Sequence, residues 1–518
     1  MSPVNRRQLL AATAGGVAAA LLPGQAALAA LPSTPFAMGV ASGDPTERSV
    51  VLWTRLAPDP IATDSGMSGQ PDTISVHWRL ATSAAGLSSD GTSLHHGNVD
   101  AIATDAWSVH VDVDQAAGGG ALAADSRYFY QFTVPGWASP VGQTRTAPAP
   151  GTARPLRFAV VSCQNAAPPP GGSLYYNGYG DMLTRAGELD FVVHLGDYIY
   201  EFGSPEHVPD VACTEINHYR RRYGQYRMRS SLQSVHQRIP FFSVPDDHEY
   251  WNNVAGGDLP AARNGTADDA KVDRFNYALR AYWENMPIRG GRPVPAPDKR
   301  VLPLHRTIRW GSLLDMYLLD TRQYRRTTGG RTILGAAQRA ELLDSIATST
   351  ATWTSLATSS PMTYFPEASS PDTWMGYDAD RSALTDALAA RRRSRPSFNP
   401  VVLSGDVHCG VVGQVRARQN TTSALVATEF IGPPMTSGSD RNWQALANRD
   451  PQGLQAFFSG VVGGTWTPQR GYLACSVTAN AWESTYFVGR QMDDPNGKVT
   501  PQGTYRVTSG TIGARKVA

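Results

Sequence analysis

The stretch Val192-Val193-His194-Leu195-Gly196-Asp197-Tyr198-Ile199-Tyr200-Glu201 decides the fold class. Its apolar start reads as a strand covered on both faces, and such strands belong to α/β organisation, where helices shield the sheet. The Gly-Asp that ends the run matters as much. In open α/β sheets ligands sit off the carboxyl ends of strands, so a polar residue just past an apolar run is a candidate site residue. Glycine before Asp197 lets the backbone turn sharply and aim the carboxylate inward. Tyr200 returns to the same side if a helical turn follows.

The pattern recurs at Val160-Val161-Ser162-Cys163-Gln164-Asn165, at Phe242-Ser243-Val244-Pro245-Asp246-Asp247-His248-Glu249-Tyr250-Trp251-Asn252-Asn253, and at Val401-Val402-Leu403-Ser404-Gly405-Asp406-Val407-His408. Each ends in possible metal donors, mostly hard oxygens and imidazole, which suits a multinuclear site where one carboxylate, Asp197, bridges two cations. Each also has a bland reading. A strand-end Asp after Gly suits a turn or helix cap, Cys163 could be a small buried hydrophobe, and His408 a satisfied core histidine. Asp246-Asp247-His248-Glu249 resists that reading, because burying four adjacent ionisable groups costs too much unless cations or partners compensate.

Outward from these motifs the same texture continues. Buried-strand runs at Arg157 to Ser162, Asp190 to Leu195, Ser312 to Leu319 and Asn399 to Leu403 alternate with helical stretches at Gly178 to Ala186, Asp273 to Asn285 and Leu334 to Thr350. Before them, Ser49 to Leu56, Thr73 to Leu80, Ser108 to Val113 and Arg127 to Val134 alternate apolar and polar residues between turns, as half-buried strands do. An all-β sandwich is therefore expected over 31–150, with the border in Ala147 to Pro155, rich in Pro, Ala and Gly. A catalytic domain follows over 151–490 and a tail over 491–518, the chain fraying after about Ala481.

Ahead of all this, Asn5-Arg6-Arg7-Gln8-Leu9-Leu10 precedes a short apolar run and Ala27-Leu28-Ala29, which reads as a twin-arginine export signal over 1–30. Gly15, Gly16, Pro23 and Gly24 interrupt the run, which falls short of the ~20 apolar residues a membrane span needs. No later segment is long and apolar enough, so a soluble periplasmic or extracellular protein is expected. The 518 residues are 41% hydrophobic and 17% charged, and 46 basic against 44 acidic residues leave a net charge of +2, no strong field for nucleic acid or anionic membrane. The basic aromatic stretch His218 to Arg227 accordingly reads as a solvated helix. Cys163, Cys213, Cys409 and Cys475 are too few for a disulfide scaffold, though one or two bridges remain open. Asp320-Thr321-Arg322 follows a strand and either lines the pocket or forms a structural Asp-Arg pair.

In order and spelling, Ser162-Cys163-Gln164-Asn165, Gly196-Asp197, Asp246-Asp247-His248-Glu249 and Gly405-Asp406-Val407-His408 resemble the motif set of the calcineurin-like metallophosphoesterases, and more closely the alkaline phosphatase D (PhoD-like) family. Phe36-Ala37-Met38-Gly39-Val40-Ala41-Ser42-Gly43-Asp44-Pro45 and Val50-Val51-Leu52-Trp53-Thr54-Arg55 resemble the opening of that family's N-terminal β domain, so the likeness covers about Phe36 to Glu483. The resemblance implies a mixed α/β (α+β) protein: a fibronectin- or immunoglobulin-like sandwich, then a four-layer αββα metallophosphoesterase domain. It also implies a ferric ion held by Cys163, Asp197, Tyr200 and His408, and one or two calcium ions held by Asp197, Asp247, Asp406 and Asn252. Asp246 and Glu249 stand as alternatives behind the ligands.

The expected activity is hydrolysis of phosphate mono- or diesters, with an oxygen nucleophile activated by the cations and His248 binding phosphate or protonating the leaving alkoxide. The closest rival is a phospholipase D-type phosphodiesterase, separated from it by loops such as Asp258 to Ala270 and Thr363 to Tyr377. A rival of another class is a metal-stabilised binding protein without turnover, against which the intact motifs weigh. Expected partners are the phosphate ester and the twin-arginine export machinery, with no dedicated nucleic acid and no stable membrane insertion.

Overall fold

The computed structural model describes residues 31, 33–165, 176–261, 265–292, 301–364, 372–420, 422–438, 454–462, 465–468, 470–489 and 496–518, with backbone alone at 454–462 and 465–468. The export signal expected over 1–30 lies outside the described residues.

Three strands set the frame. Leu156–Val161, Phe191–His194 and Phe241–Ser243 pair in parallel, His194 lying between Val161 and Ser243 in the register, so their carboxyl ends finish side by side. Successive side chains of these strands serve different cores, because a strand presents alternate residues to opposite faces. Phe158, Val160, Phe191 and Val193 pack against Met316, Trp353, Val401 and Leu403 of a second sheet. Ala159, Val161 and Val192 pack outward against Tyr179, Tyr219, Tyr223, Leu232 and Leu279, carried by the helices Asn177–Thr184, Ile216–Arg227, Ser230–Arg238 and Asp269–Asn285.

The second sheet repeats the scheme. Its central strands Trp353–Ala357 and Asn399–Ser404 run parallel, and their outward residues Leu356 and Val402 meet Leu342, Ile346, Leu384 and Leu388. Those leucines and the isoleucine lie on the helices Ala336–Thr348 and Asp378–Ser394. Helix, sheet, sheet and helix are thus stacked in the αββα order expected. A polar substitution at Val160 or Val193, inside a core closed from both sides, would strand an unsatisfied group at ~1–3 kcal/mol.

The N-terminal region is a sandwich with its own core, in which Val76, Trp78, Tyr130 and Phe132 face Val40, Leu52, Val109 and Val111. One half is a five-stranded sheet built on Thr73–Ala81 and Arg127–Val134. The other half, Val40–Gly43, Val51–Arg55 and Ser108–Asp112, belongs to the same ten-stranded sheet as the three frame strands. Gly43 pairs with Phe241, so the sheet runs across the expected border. Strand Val40–Gly43 escapes the alternation test because all four of its residues are buried.

Several expectations need correction. The chain does not fray after Ala481: Ala481–Gly489, Thr500–Thr508 and Arg515–Lys516 form one end of the ten-stranded sheet, so the expected tail contributes two strands to it. The period-2 pattern of Trp482, Ser484 and Tyr486, all buried, was masked by the surrounding Gly and Thr. The helix Ile216–Arg227 is not a solvated face either, since Tyr219, Arg222, Tyr223, Tyr226 and Arg227 are all buried. All four cysteines are free and buried. Among the described residues no helix is long and apolar enough to cross a membrane.

Candidate metal centre

The fold brings the four motifs together because two sheets end at the same rim. Cys163, Asp197 and Asp246-Asp247 follow neighbouring strands of one sheet, and Asp406 and His408 follow strand Asn399–Ser404 of the other. Cys163 (φ +56°), Asp197 (φ +56°), Asp406 (φ +68°) and His408 (φ +51°) all lie in the left-handed region. Non-glycine residues there cost on the order of 1–3 kcal/mol each and persist where surroundings over-determine them, which is common at functional sites. Gly196 (φ +102°) is a position only glycine fills, because a Cβ would stand 2.4 Å from that of Asp246.

Asp197 is the hub. Donor atoms of Cys163, Asp197 and His408 lie within 4.8 Å of one another, and so do those of Asp197, Asp247 and His248. Tyr200 joins the first group: its hydroxyl donates to Asp197 Oδ2 at 3.0 Å and sits 3.0 Å from His408 Nε2. It arrives there through a bend, without the helical turn expected after Asp197. Asp247, Asn252 and Asp406 line a cleft of about 250 Å³ together with Asp197, His248 and His408. Asp406 belongs to neither tight group. Asn252 stands exposed at the mouth, its backbone N–H donating to Glu201 Oε1 at 2.9 Å.

Burial and like charge dominate the electrostatics of the site. Burial, reinforced by Asp247 and Asp246, pushes the Asp197 carboxyl up to about 8. Burial likewise holds the Asp406 carboxyl, the Cys163 thiol and the Tyr200 phenol well above their ordinary ranges. His408, desolvated, is lowered to about 4 and so offers a neutral imidazole. His248 goes the other way: burial opposes its charge, yet Asp197, Asp247 and Glu201 raise it to about 10. Buried acids of this density demand positive charge. The donors fit metal ions: sulfur, phenol, imidazole and carboxylate on one side suit a transition metal, and carboxylate and amide oxygens on the other suit a hard divalent cation.

Around these donors stands a frame of which sequence reasoning saw only part. Glu249 accepts the backbone N–H groups of Asp197 at 3.0 Å, Tyr198 at 2.5 Å and Asp246 at 2.7 Å, fixing the two loops on one carboxylate. Glu201, not singled out from the sequence, accepts from His248 Nδ1 at 2.7 Å and so leaves Nε2 for a ligand. Arg222 donates to the carbonyls of Tyr200, Phe202, Pro209 and Val211, clamping the loop that carries Tyr200. The Ser437 hydroxyl lies 2.8 Å from both the Tyr200 hydroxyl and the Cys163 carbonyl, tying the two loops together. Asn165, which ends the first motif, accepts from Tyr226 at 3.0 Å. Glu249 and Asn165 lie within the motifs, the arginine-rich helix and Asp320-Thr321-Arg322 carried a further signal, and Arg322 resolves the last. Asp320 caps its own turn by accepting the backbone N–H groups of Arg322 and Gln323, whereas the guanidinium reaches Asp246 and, at the cleft, Asp372.

Comparison with known proteins bears on the same motifs. The family description "PhoD-like phosphatase" matches residues 158–486, and "PhoD-like phosphatase, N-terminal domain" matches residues 24–148. Alkaline phosphatase D of Bacillus subtilis (strain 168) is 32% identical over 94% of this chain and 83% of its own length. A solved structure described as that of PhoD superposes with a TM-score of 0.79 at 32% identity, covering 95% of this chain and 93% of the other.

Proposed function

The chain belongs to the PhoD-like phosphatase family and is a phosphoester hydrolase, and on that premise we propose that it is exported and hydrolyses phosphate esters at a centre of one ferric ion and one or two calcium ions. The observation that carries the reading is the shared position of Asp197 in both donor groups. Cys163, Asp197, Tyr200 and His408 would hold the iron, and Asp197, Asp247, Asn252 and Asp406 the calcium. Bound cations supply neutralisation of the phosphate oxygens and acidify an attacking water.

The remaining work falls to side chains. His248, anchored through Nδ1 to Glu201, presents Nε2 to a bound ester and can hand a proton to the leaving alkoxide. Glu249 keeps Asp197 and Asp246 in register, and the walls formed by Asn252, Asn253, Asp372 and Thr373 bound the space for the ester's organic group. The N-terminal Arg6-Arg7 signal supports export through the twin-arginine route, which carries folded, metal-loaded proteins.

The test is metal analysis and a visible spectrum of natively exported protein, followed by turnover of a phosphomonoester, a phosphodiester and a phospholipid. Iron, calcium and a charge-transfer band that Cys163→Ser shifts are expected, with turnover of the first two esters. Colourless protein without iron sinks the metal assignment, and preference for the phospholipid replaces the substrate assignment with the phospholipase D-type one.

A further inference from the structure

Two adjacent aspartates stand at the third motif, and the charge of both must be met. Asp246 is 1% exposed and Asp247 3% exposed. A chain that offered both to cations would change the number of ions held and their charge. The structure treats them differently. Asp247 accepts the backbone N–H of Asn253 at 2.6 Å and faces the cleft. Asp246 is turned away from it: its backbone is locked by Glu249, and one carboxylate oxygen meets Arg322 Nε in a short ion pair.

Arg322 is fully buried, an expensive place for a guanidinium unless acids surround it. Its other two nitrogens grip Asp372 in a two-pronged contact, Nη1 to Oδ1 at 2.8 Å and Nη2 to Oδ2 at 3.0 Å. Nη2 also lies 3.4 Å from Asp247 Oδ1, an ion-pair distance but longer than either bond to Asp372. Asp372 is held a second time by Arg325, which donates to its carbonyl at 2.8 Å and to its carboxylate. A planar fork with fixed donor directions is the side chain that can hold two carboxylates at once; an ammonium cannot.

We propose that Arg322 is a positioning residue that sorts the carboxylates of the cleft: it removes Asp246 and Asp372 from the donor set and reserves Asp247 for the cations. This rests on the metal reading given under Proposed function. Asp246 keeps one oxygen, Oδ2, without a hydrogen-bond partner among the described residues, so the competing possibility is concrete: that oxygen could itself be a donor.

The experiment counts bound metal rather than turnover. Wild type, Asp246→Asn, Asp247→Asn, Arg322→Lys and Arg322→Met are equilibrated with Ca²⁺, and iron and calcium per chain are measured. Asp246→Asn keeps the wild-type equivalents, because an amide oxygen still accepts from Arg322, while Asp247→Asn loses calcium. Arg322→Met gains calcium equivalents through the released acids, and Arg322→Met with Asp246→Asn reverses the gain. Arg322→Lys gains calcium equivalents, fewer than Arg322→Met, since an ammonium holds one of the two carboxylates and releases the other. Loss of metal in Asp246→Asn overturns the proposal, as does an unchanged count in folded Arg322→Met. Should Arg322→Met fail to fold, the two aspartate variants decide alone. Wild type without any bound metal would instead sink the parent reading.

Discussion

Two buried polar regions meet along His194 to Tyr198, and they resolve the same problem in opposite ways. At the carboxyl end of strand Phe191–His194, Asp197, Asp246, Asp247 and Glu249 crowd together with Arg322 and His248 as nearby positive charge. Against the N-terminal region, Tyr198 meets His236 Nε2 at 3.0 Å and receives Arg227 Nη1 at 3.2 Å, while the Arg227 guanidinium stacks 4.2 Å over Trp53. The basic region sheds its histidine charge, while Arg227 keeps Nε and Nη2 without a hydrogen-bond partner among the described residues. Desolvation drops His194 to about 3 and His236 well below the usual range, so both imidazoles are neutral, and an aromatic face takes the arginine. The acidic region could shed charge only by protonating the very groups whose lone pairs make it a donor set. One arrangement neutralises its groups, and the other keeps a set of metal-donor side chains together.

That contrast can be broken most severely at Asp197. Asp197→Ala should cost both metal assignments and lower kcat/KM by more than about 10³-fold, beyond what a single oxyanion contact contributes; metal analysis and steady-state kinetics check it, and retained iron would dissolve the hub. His248→Ala should lower turnover of esters with poor leaving groups by about 10²-fold, the low end for general acid catalysis, and spare good leaving groups. Equal losses on both ester classes would remove the proton-donor role.

On the basic side the effects should appear in stability. Trp53→Ala takes out a fully buried indole and its stacking on Arg227, so denaturant unfolding should report a loss of about 3–5 kcal/mol with kcat/KM unchanged. An activity loss without a stability loss would merge the two regions. The smallest effect is a slope. A histidine whose folded pKa is depressed stabilises the fold fully above its unfolded pKa near 6.5, and that stabilisation fades as pH falls toward the folded value. Between about pH 6 and 4 wild type should therefore lose about 1.4 kcal/mol per pH unit more steeply than His236→Gln, one proton's worth. Parallel slopes would show that His236 is not neutral in the fold.

Much of the acidic region was legible because its residues follow apolar runs directly: Gly196-Asp197 and Gly405-Asp406-Val407-His408 announce themselves wherever a strand ends. The basic region was not. Arg227 in a run of arginines reads as solvent-facing, and nothing local says that Trp53, far away in the chain, will lie beneath it. Glu201 and Ser437 were missed for the same reason: each acts on a site residue through a partner distant in sequence, His248 or Tyr200. The strand Ala481–Gly489 was missed because its apolar positions are interleaved with small polar residues that suit a loop equally well.

By itself the sequence determined the α/β organisation, the N-terminal sandwich and the strand-end residues that stand as donor candidates, since periodicity and strand-end chemistry are local properties. Only the tertiary structure decided that Arg322 takes Asp246 and Asp372, that Glu201 orients His248, and that one sheet passes from the N-terminal strands into the catalytic layer. Those outcomes depend on where two sheets end relative to each other, and that distance is set by the packed core between them, not by any stretch of chain read alone.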